Sequence, residues 1–293
     1  MRIVSLLPSA TEMCFALGLE EELGAVTFEC DYPEAARHLP HATTSALESV
    51  TDPAEIDRLV RQSMESGQPI YQLDEALVRS IDPDLVIAQD LCRVCAVPSG
   101  QVEDALAKIG HRAQVLSLDP STVAEVLGGL LAVADAAGVR ERGALLVADL
   151  EKRVARVAQN PPPIRKRVLT LEWSDPPFVG GHWVPEMVAI AGGLDVLGAP
   201  GARSRTVTWA EIGDAKFDVV IFMPCGYDLA AAVSEGQTLL RRPELGDAEL
   251  FAVDATAYFS RPGPRIVDGI ELLAWALNPG NPQPPAGRIL RLG

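Results

Sequence analysis

Arg2-Ile3-Val4-Ser5-Leu6-Leu7-Pro8-Ser9-Ala10-Thr11-Glu12 reads as a β-strand that runs straight into a helix. The apolar run Arg2–Leu6 suits a buried strand, and Ser9 with Glu12 three residues on fits a capping box that opens a helix over Ser9–Leu17. A short strand followed at once by a helix is the unit from which parallel sheets are built, because a parallel neighbour can be reached only by a crossover.

The same alternation continues outward from this stretch. Strands are predicted at Gly24–Thr27, Asp84–Gln89 and Ala113–Leu118, with helices at Pro53–Glu65, Asp74–Ser80 and Gly100–Ile109. A long helical stretch follows, from Ser121 to Ala158, free of proline and weakened only at Gly128-Gly129 and Gly138. Asn160-Pro161-Pro162-Pro163 stops it. The pattern then restarts with strands at Val168–Leu171, Leu194–Leu197, Phe217–Met223 and Leu250–Val253, and helices at Pro185–Ala191, Trp209–Ile212 and Arg265–Leu277. The turn-rich tail Asn278–Pro285 is expected on the surface. The expectation is an α/β chain with two Rossmann-like lobes, residues 1–120 and 161–293, joined by one bridging helix over 121–160, with a ligand cleft between the lobes.

Composition narrows the function. The chain has 293 residues, 48% of them apolar, and a mean hydropathy of +0.14, which marks a well-packed globular protein. Its net charge of −15 argues against nucleic acid or an anionic membrane surface as partner. No segment approaches the roughly 18 apolar residues of a membrane span, so no membrane insertion is expected. The five cysteines are an odd number, which disfavours a disulfide framework. If Met1 is the natural start the expected compartment is the cytoplasm; a trimmed leader would change that to the periplasm or cell surface.

Four of those cysteines fall just past predicted strands: Cys30, Cys92, Cys95 and Cys225. Ligands of open parallel sheets bind outside the carboxyl ends of the strands. Cys92 and Cys95 form a C-x-x-C pair, whose spacing suits one tetrahedral zinc, one iron–sulfur cluster or a dithiol redox pair. With Cys30 and Cys225 they would complete a four-sulfur site, while buried free cysteines acting as small hydrophobes give the plainer alternative. Cys14, inside the first helix, reads as core.

The segment Glu172-Trp173-Ser174-Asp175-Pro176-Pro177-Phe178-Val179-Gly180-Gly181-His182-Trp183 brings two of the four tryptophans, a phenylalanine and a histidine to one strand end. Flat rings around an imidazole suit a large planar ligand, with His182 as an axial metal ligand; the same residues could simply pack the loop. Glu29, Asp31 and Glu172 are candidate contacts to metal or to a cationic ligand, or helix caps. Arg265, at a helix start, could hold a carboxylate or pair with a neighbouring acid. Phosphate-loop, dinucleotide and nucleophile-elbow signatures are absent from the sequence.

Arg2–Glu12 followed by Ala16-Leu17-Gly18-Leu19, with Cys30-Asp31-Tyr32-Pro33 and Pro83-Asp84-Leu85-Val86-Ile87-Ala88 in order after it, resembles the class III substrate-binding proteins of ABC importers, the cobalamin branch in particular. The resemblance implies a corrinoid or other metal chelate as ligand and an ABC permease as partner. It adds Pro8, Ser9, Tyr32 and Gly226 to Glu29, Cys30, Asp31, Glu172, Trp173, Phe178, His182, Trp183 and Arg265 as expected ligand contacts. Binding without catalysis is the leading expectation. The alternative is a cytoplasmic metalloprotein or enzyme with zinc or an iron–sulfur cluster on Cys30, Cys92, Cys95, Cys225 and His182.

Overall fold

The computed structural model describes residues 1–45, Glu55, Arg58, Leu59, Gln62, 70–90, 97–108, Gly110 and 112–293. The C-x-x-C pair Cys92/Cys95 and most of the expected helix Pro53–Glu65 lie outside the described residues. The chain divides into two α/β units, the first made of residues 1–119 and 128–146, the second of 120–127 and 147–293.

In the first unit, β1 (Ile3–Ser5), β2 (Leu23–Val26), β5 (Leu85–Ala88) and β6 (Gln114–Ser117) form a wholly parallel sheet in the order β2-β1-β5-β6. β1 and β5 are buried along their whole length, as parallel strands covered on both faces must be. Val4, Leu6, Ala25, Val86 and Ala88 pack into one core with Val78, Val102 and Leu106 from the helices Glu75–Ile81 and Ser99–Lys108. A two-stranded antiparallel ribbon, β3 (Thr43–Ser45) with β4 (Tyr71–Leu73), stands beside this sheet and was not foreseen. Its strands are only three residues long, too short for a readable alternation.

The first helix starts one residue before its expected position, at Pro8, and Leu7 is its cap without any side-chain bond. The capping box is therefore not made. Proline at the first helical position has no N–H to satisfy and its φ is already helical, so no cap is needed there.

The second unit carries a seven-stranded sheet. β7 (Arg167–Ser174), β11 (Val219–Phe222) and β12 (Glu249–Val253) are parallel in its centre. β8 (Pro177–Val179) and β10 (Arg205–Thr206) extend it antiparallel beyond β7, β9 (Leu194–Asp195) pairs with the start of β7, and β13 (Ile289–Leu292) closes the other edge antiparallel to β12. Leu169, Leu171, Val220, Phe222 and Ala252 form the middle of its core with Ile212 and Ala232. The helix Leu229–Leu239 was not foreseen, although Asp228 caps it by accepting from the Ala231 N–H at 2.8 Å.

The stretch read as one bridging helix is two, Val123–Ala136 and Arg140–Ala158. Gly138 takes φ +72°, where a side chain would be strained. The Gly138 N–H donates to the Asp135 carbonyl at 3.1 Å and the Val139 N–H to the Ala134 carbonyl at 2.8 Å, the paired bonds of a Schellman stop. Gly128 and Gly129 do not interrupt the first helix.

Candidate functional site

In the first unit, the chain leaves β1 and enters the first helix through Leu6-Leu7-Pro8. The Ser5 hydroxyl donates to the Leu7 carbonyl at 3.1 Å and accepts from the Thr11 hydroxyl at 2.8 Å. Thr11 Oγ1 in turn lies 3.1 Å from Cys30 Sγ. This row of hydroxyls and thiol is interior, because Ser5, Ser9, Thr11 and Cys30 are all buried. Cys30 is therefore not a sulfur ligand facing a cleft: at 2% exposure it fills the space beneath the loop and its thiol meets Thr11. Ser9 is turned inward likewise, whereas Pro8 is half-buried.

The loop after β2 is propped from the ribbon. Thr43 donates to Thr27 Oγ1 at 2.8 Å, the Tyr71 hydroxyl donates to Glu29 Oε1 at 3.1 Å, and Phe28 stacks on Tyr71 with ring centres 5.9 Å apart. Tyr71 thus positions Glu29, a role with no signal in its sequence neighbourhood. Asp31 lies 4.0 Å from Arg37, and Tyr32 is exposed.

In the second unit, β7 runs past its parallel neighbour. Its pairing with β11 ends at Leu171–Phe222, and Glu172, Trp173 and Ser174 project beyond before the chain folds back as β8. The Trp173 indole N–H donates to the Asp175 carbonyl at 3.1 Å, and its ring meets Tyr227 edge-on at 5.5 Å. Phe178, on β8, is half-buried in register with Trp173. Tyr227, from the turn after β11, is an aromatic neighbour that the sequence reading passed over. Its signal was its place two residues after Cys225.

Glu172 is held below the loop that carries His182. The Gly181 N–H points at Glu172 Oε1 at 3.4 Å and Ser204 bonds the same carboxyl, yet burial dominates and pushes it up to about 7. Gly180 and Gly181 are there for close approach: a Cβ on Gly181 would meet the Ser204 nitrogen at 2.1 Å. His182 itself takes φ +52°, sparsely populated for a residue with a side chain, and is held by Ala202 and Gly201 through backbone bonds of 2.5 and 2.9 Å. Burial, aided by nearby Arg203, lowers its pKa and keeps the imidazole neutral.

Trp183 does not face a ligand. It is 5% exposed and its indole N–H donates to the Phe259 carbonyl at 2.9 Å, so the second tryptophan of the segment belongs to the core. Cys225 and Gly226 lie exposed after β11, Gly226 with φ +82°. Arg265 caps the helix Ile266–Leu277, its guanidinium 5.8 Å from the Tyr258 ring centre.

Among the described residues no three His, Cys, Asp or Glu side chains gather in a metal-holding group. Cys30 is buried in the first unit and Cys225 exposed in the second, so the structure gives the four-sulfur site with zinc or an iron–sulfur cluster no support. Among those residues, too, no helix is long and apolar enough to cross a membrane.

No family model matches the chain. A stretch of 43 residues is 46% identical to the vitamin B12-binding protein of Yersinia pestis and covers 15% of each chain. Solved structures match nearly throughout. The periplasmic vitamin B12 binding protein BtuF of Vibrio cholerae superposes with a TM-score of 0.68 at 21% identity, over 96% of this chain and 98% of that one. The periplasmic haem-binding protein RhuT of Roseiflexus gives 0.68 at 24%, over 96% and 99%. HutB, the periplasmic haem-binding protein of Vibrio cholerae, gives 0.71 at 18%, over 95% and 99%. The chain therefore has the fold of the class III substrate-binding proteins, as its opening motif implied. The expected cytoplasmic location finds no support among these relatives, all three of which are described as periplasmic.

Proposed function

We propose that this chain is a substrate-binding protein for a metal-centred macrocycle, with a corrinoid first and haem second, serving an ABC permease. The observation that carries the reading is the projecting end of β7, where Trp173, steadied by Tyr227 and Asp175, offers a half-buried aromatic face beyond the parallel sheet. Aromatic faces of this kind bind flat, apolar rings while a few polar groups fix orientation. Phe178 extends that face. A neutral His182 is in the form that can approach a metal centre. Full-length likeness of fold to B12- and haem-binding proteins supports the choice of ligand class, and the short B12-type match favours the corrinoid.

In the first unit, Glu29 and exposed Tyr32 are the contacts we assign to the ligand's polar rim. Localisation divides on the natural amino terminus: a Met1 start supports the cytoplasm and an upstream leader supports the periplasm, which amino-terminal sequencing of the native protein decides.

Absorbance titration with cyanocobalamin, and separately with haem, tests the reading. Saturable one-to-one binding of at least one is expected, weakened at least tenfold by Trp173→Ala with thermal stability retained. Absence of saturation with both ligands overturns it.

A further inference from the structure

The second unit holds a cavity of about 530 Å³ that has no part in the Trp173 face. Its walls are the end of the helix Arg140–Ala158, one flank of the helix Ile266–Leu277, and the proline-rich segment that follows. Pro282, Pro284 and Pro285 offer no backbone N–H, so together with Val157, Leu272 and Ala274 they make a largely apolar lining. Small-molecule sites have volumes of about 300–1,000 Å³ and this composition, mostly apolar with a few convergent charges.

The charges around the cavity do not balance. Arg153 grips Glu271 with two bonds, Nε to Oε1 at 2.9 Å and Nη2 to Oε2 at 2.7 Å, and also bonds Asp268. Arg288 approaches the other oxygen of Asp268 at 3.7 Å. Both carboxylates are thus engaged. Arg156 lines the same cavity, and among the described residues its guanidinium makes no ion pair. Three guanidinium groups face two carboxylates, leaving one positive charge at an apolar hollow.

We propose that this cavity is a second binding site, for a small carboxylate with an apolar body. Its anionic group pairs with Arg156, and its body lies against Val157, Leu272 and the prolines. A cationic ligand of the same shape meets the surplus charge and is rejected; a neutral one loses the arginine contact.

Calorimetric titration of the full chain with octanoate, octan-1-ol and octylammonium tests this. Octanoate is expected to bind once per chain, at least tenfold more tightly than octylammonium. Arg156→Gln should cut octanoate affinity about tenfold and leave octan-1-ol unchanged. Val157→Trp, on a partly exposed helix face, should fill the hollow and remove binding of both, with circular dichroism confirming the fold. Trp173→Ala should leave octanoate binding intact, which separates this site from the macrocycle face. No saturable octanoate binding at millimolar concentration, equal affinity in both cavity variants and the unaltered chain, or loss in Trp173→Ala overturns the proposal.

Discussion

The two units place different chemistry at the same end of their sheets. In the first, the strand-end residues turn inward: Ser5, Ser9, Thr11 and Cys30 are buried, and their hydroxyls and thiol bond one another. In the second, Glu172, Trp173 and Phe178 stay partly open to solvent. The cause is strand length. β1 is three residues long and feeds a helix at once, so its flanking side chains are swallowed by the helix packing above them. β7 is eight residues long, outruns β11 and folds back as a hairpin, and what lies beyond the sheet's edge is left accessible. A strand-end position makes a residue a candidate; the connection that follows decides whether it is a wall or a surface.

Three substitutions press on that contrast. The largest effect belongs to Trp183→Ala, which removes a buried ring and its bond to Phe259 and should cost about 3–5 kcal/mol in denaturant unfolding. A loss below about 1 kcal/mol, with ligand affinity falling instead, would return Trp183 to the binding face and break the division between surface and wall.

Next comes Glu172→Gln, read as melting temperature against pH. Burial raises the folded pKa from 4.5 to about 7, so the folded state holds its proton more tightly than the unfolded one. That contribution is fully present below the unfolded value and is lost as pH rises through the folded one. The variant, which imitates the protonated carboxyl, should match the unaltered protein at pH 4 and exceed it increasingly up to pH 8. Parallel curves would show that Glu172 is solvated like an ordinary surface carboxylate.

The smallest effect is expected from Cys30→Ala, about 1 kcal/mol of stability or less and no change in macrocycle affinity. A collapse of affinity would place the first unit's thiol among the ligand contacts after all and erase the contrast between the units.

The parallel core was legible because its strands are buried on both faces and so read as short apolar runs, Ile3-Val4 and Leu85-Val86-Ile87-Ala88 among them. The added antiparallel strands were not. β13 has exposed residues at Leu290 and Arg291 and lies beyond a proline-rich tail, so neither hydrophobicity nor turn chemistry announces it. At the site, sequence placed Glu172 and Trp173 correctly at a strand end but made Trp173 and Trp183 equivalent. Ten residues apart in one segment, they are separated only by whether a backbone carbonyl waits inside for the indole N–H. Tyr71 was invisible for the same reason, since its partner Glu29 is 42 residues away.

The break at Gly138 bears on how the protein is made. The two helices either side of it are shared: residues 128–146 complete the first unit, while 120–127, which precede them, belong to the second. On the ribosome the first unit therefore stays unfinished until residue 146 has emerged, and a segment of the second is already waiting. Neither unit can be cut free at a linker without severing a helix, so domain-by-domain truncation, gene splitting and fusion at this junction should fail where the same operations succeed in chains joined by loose connectors.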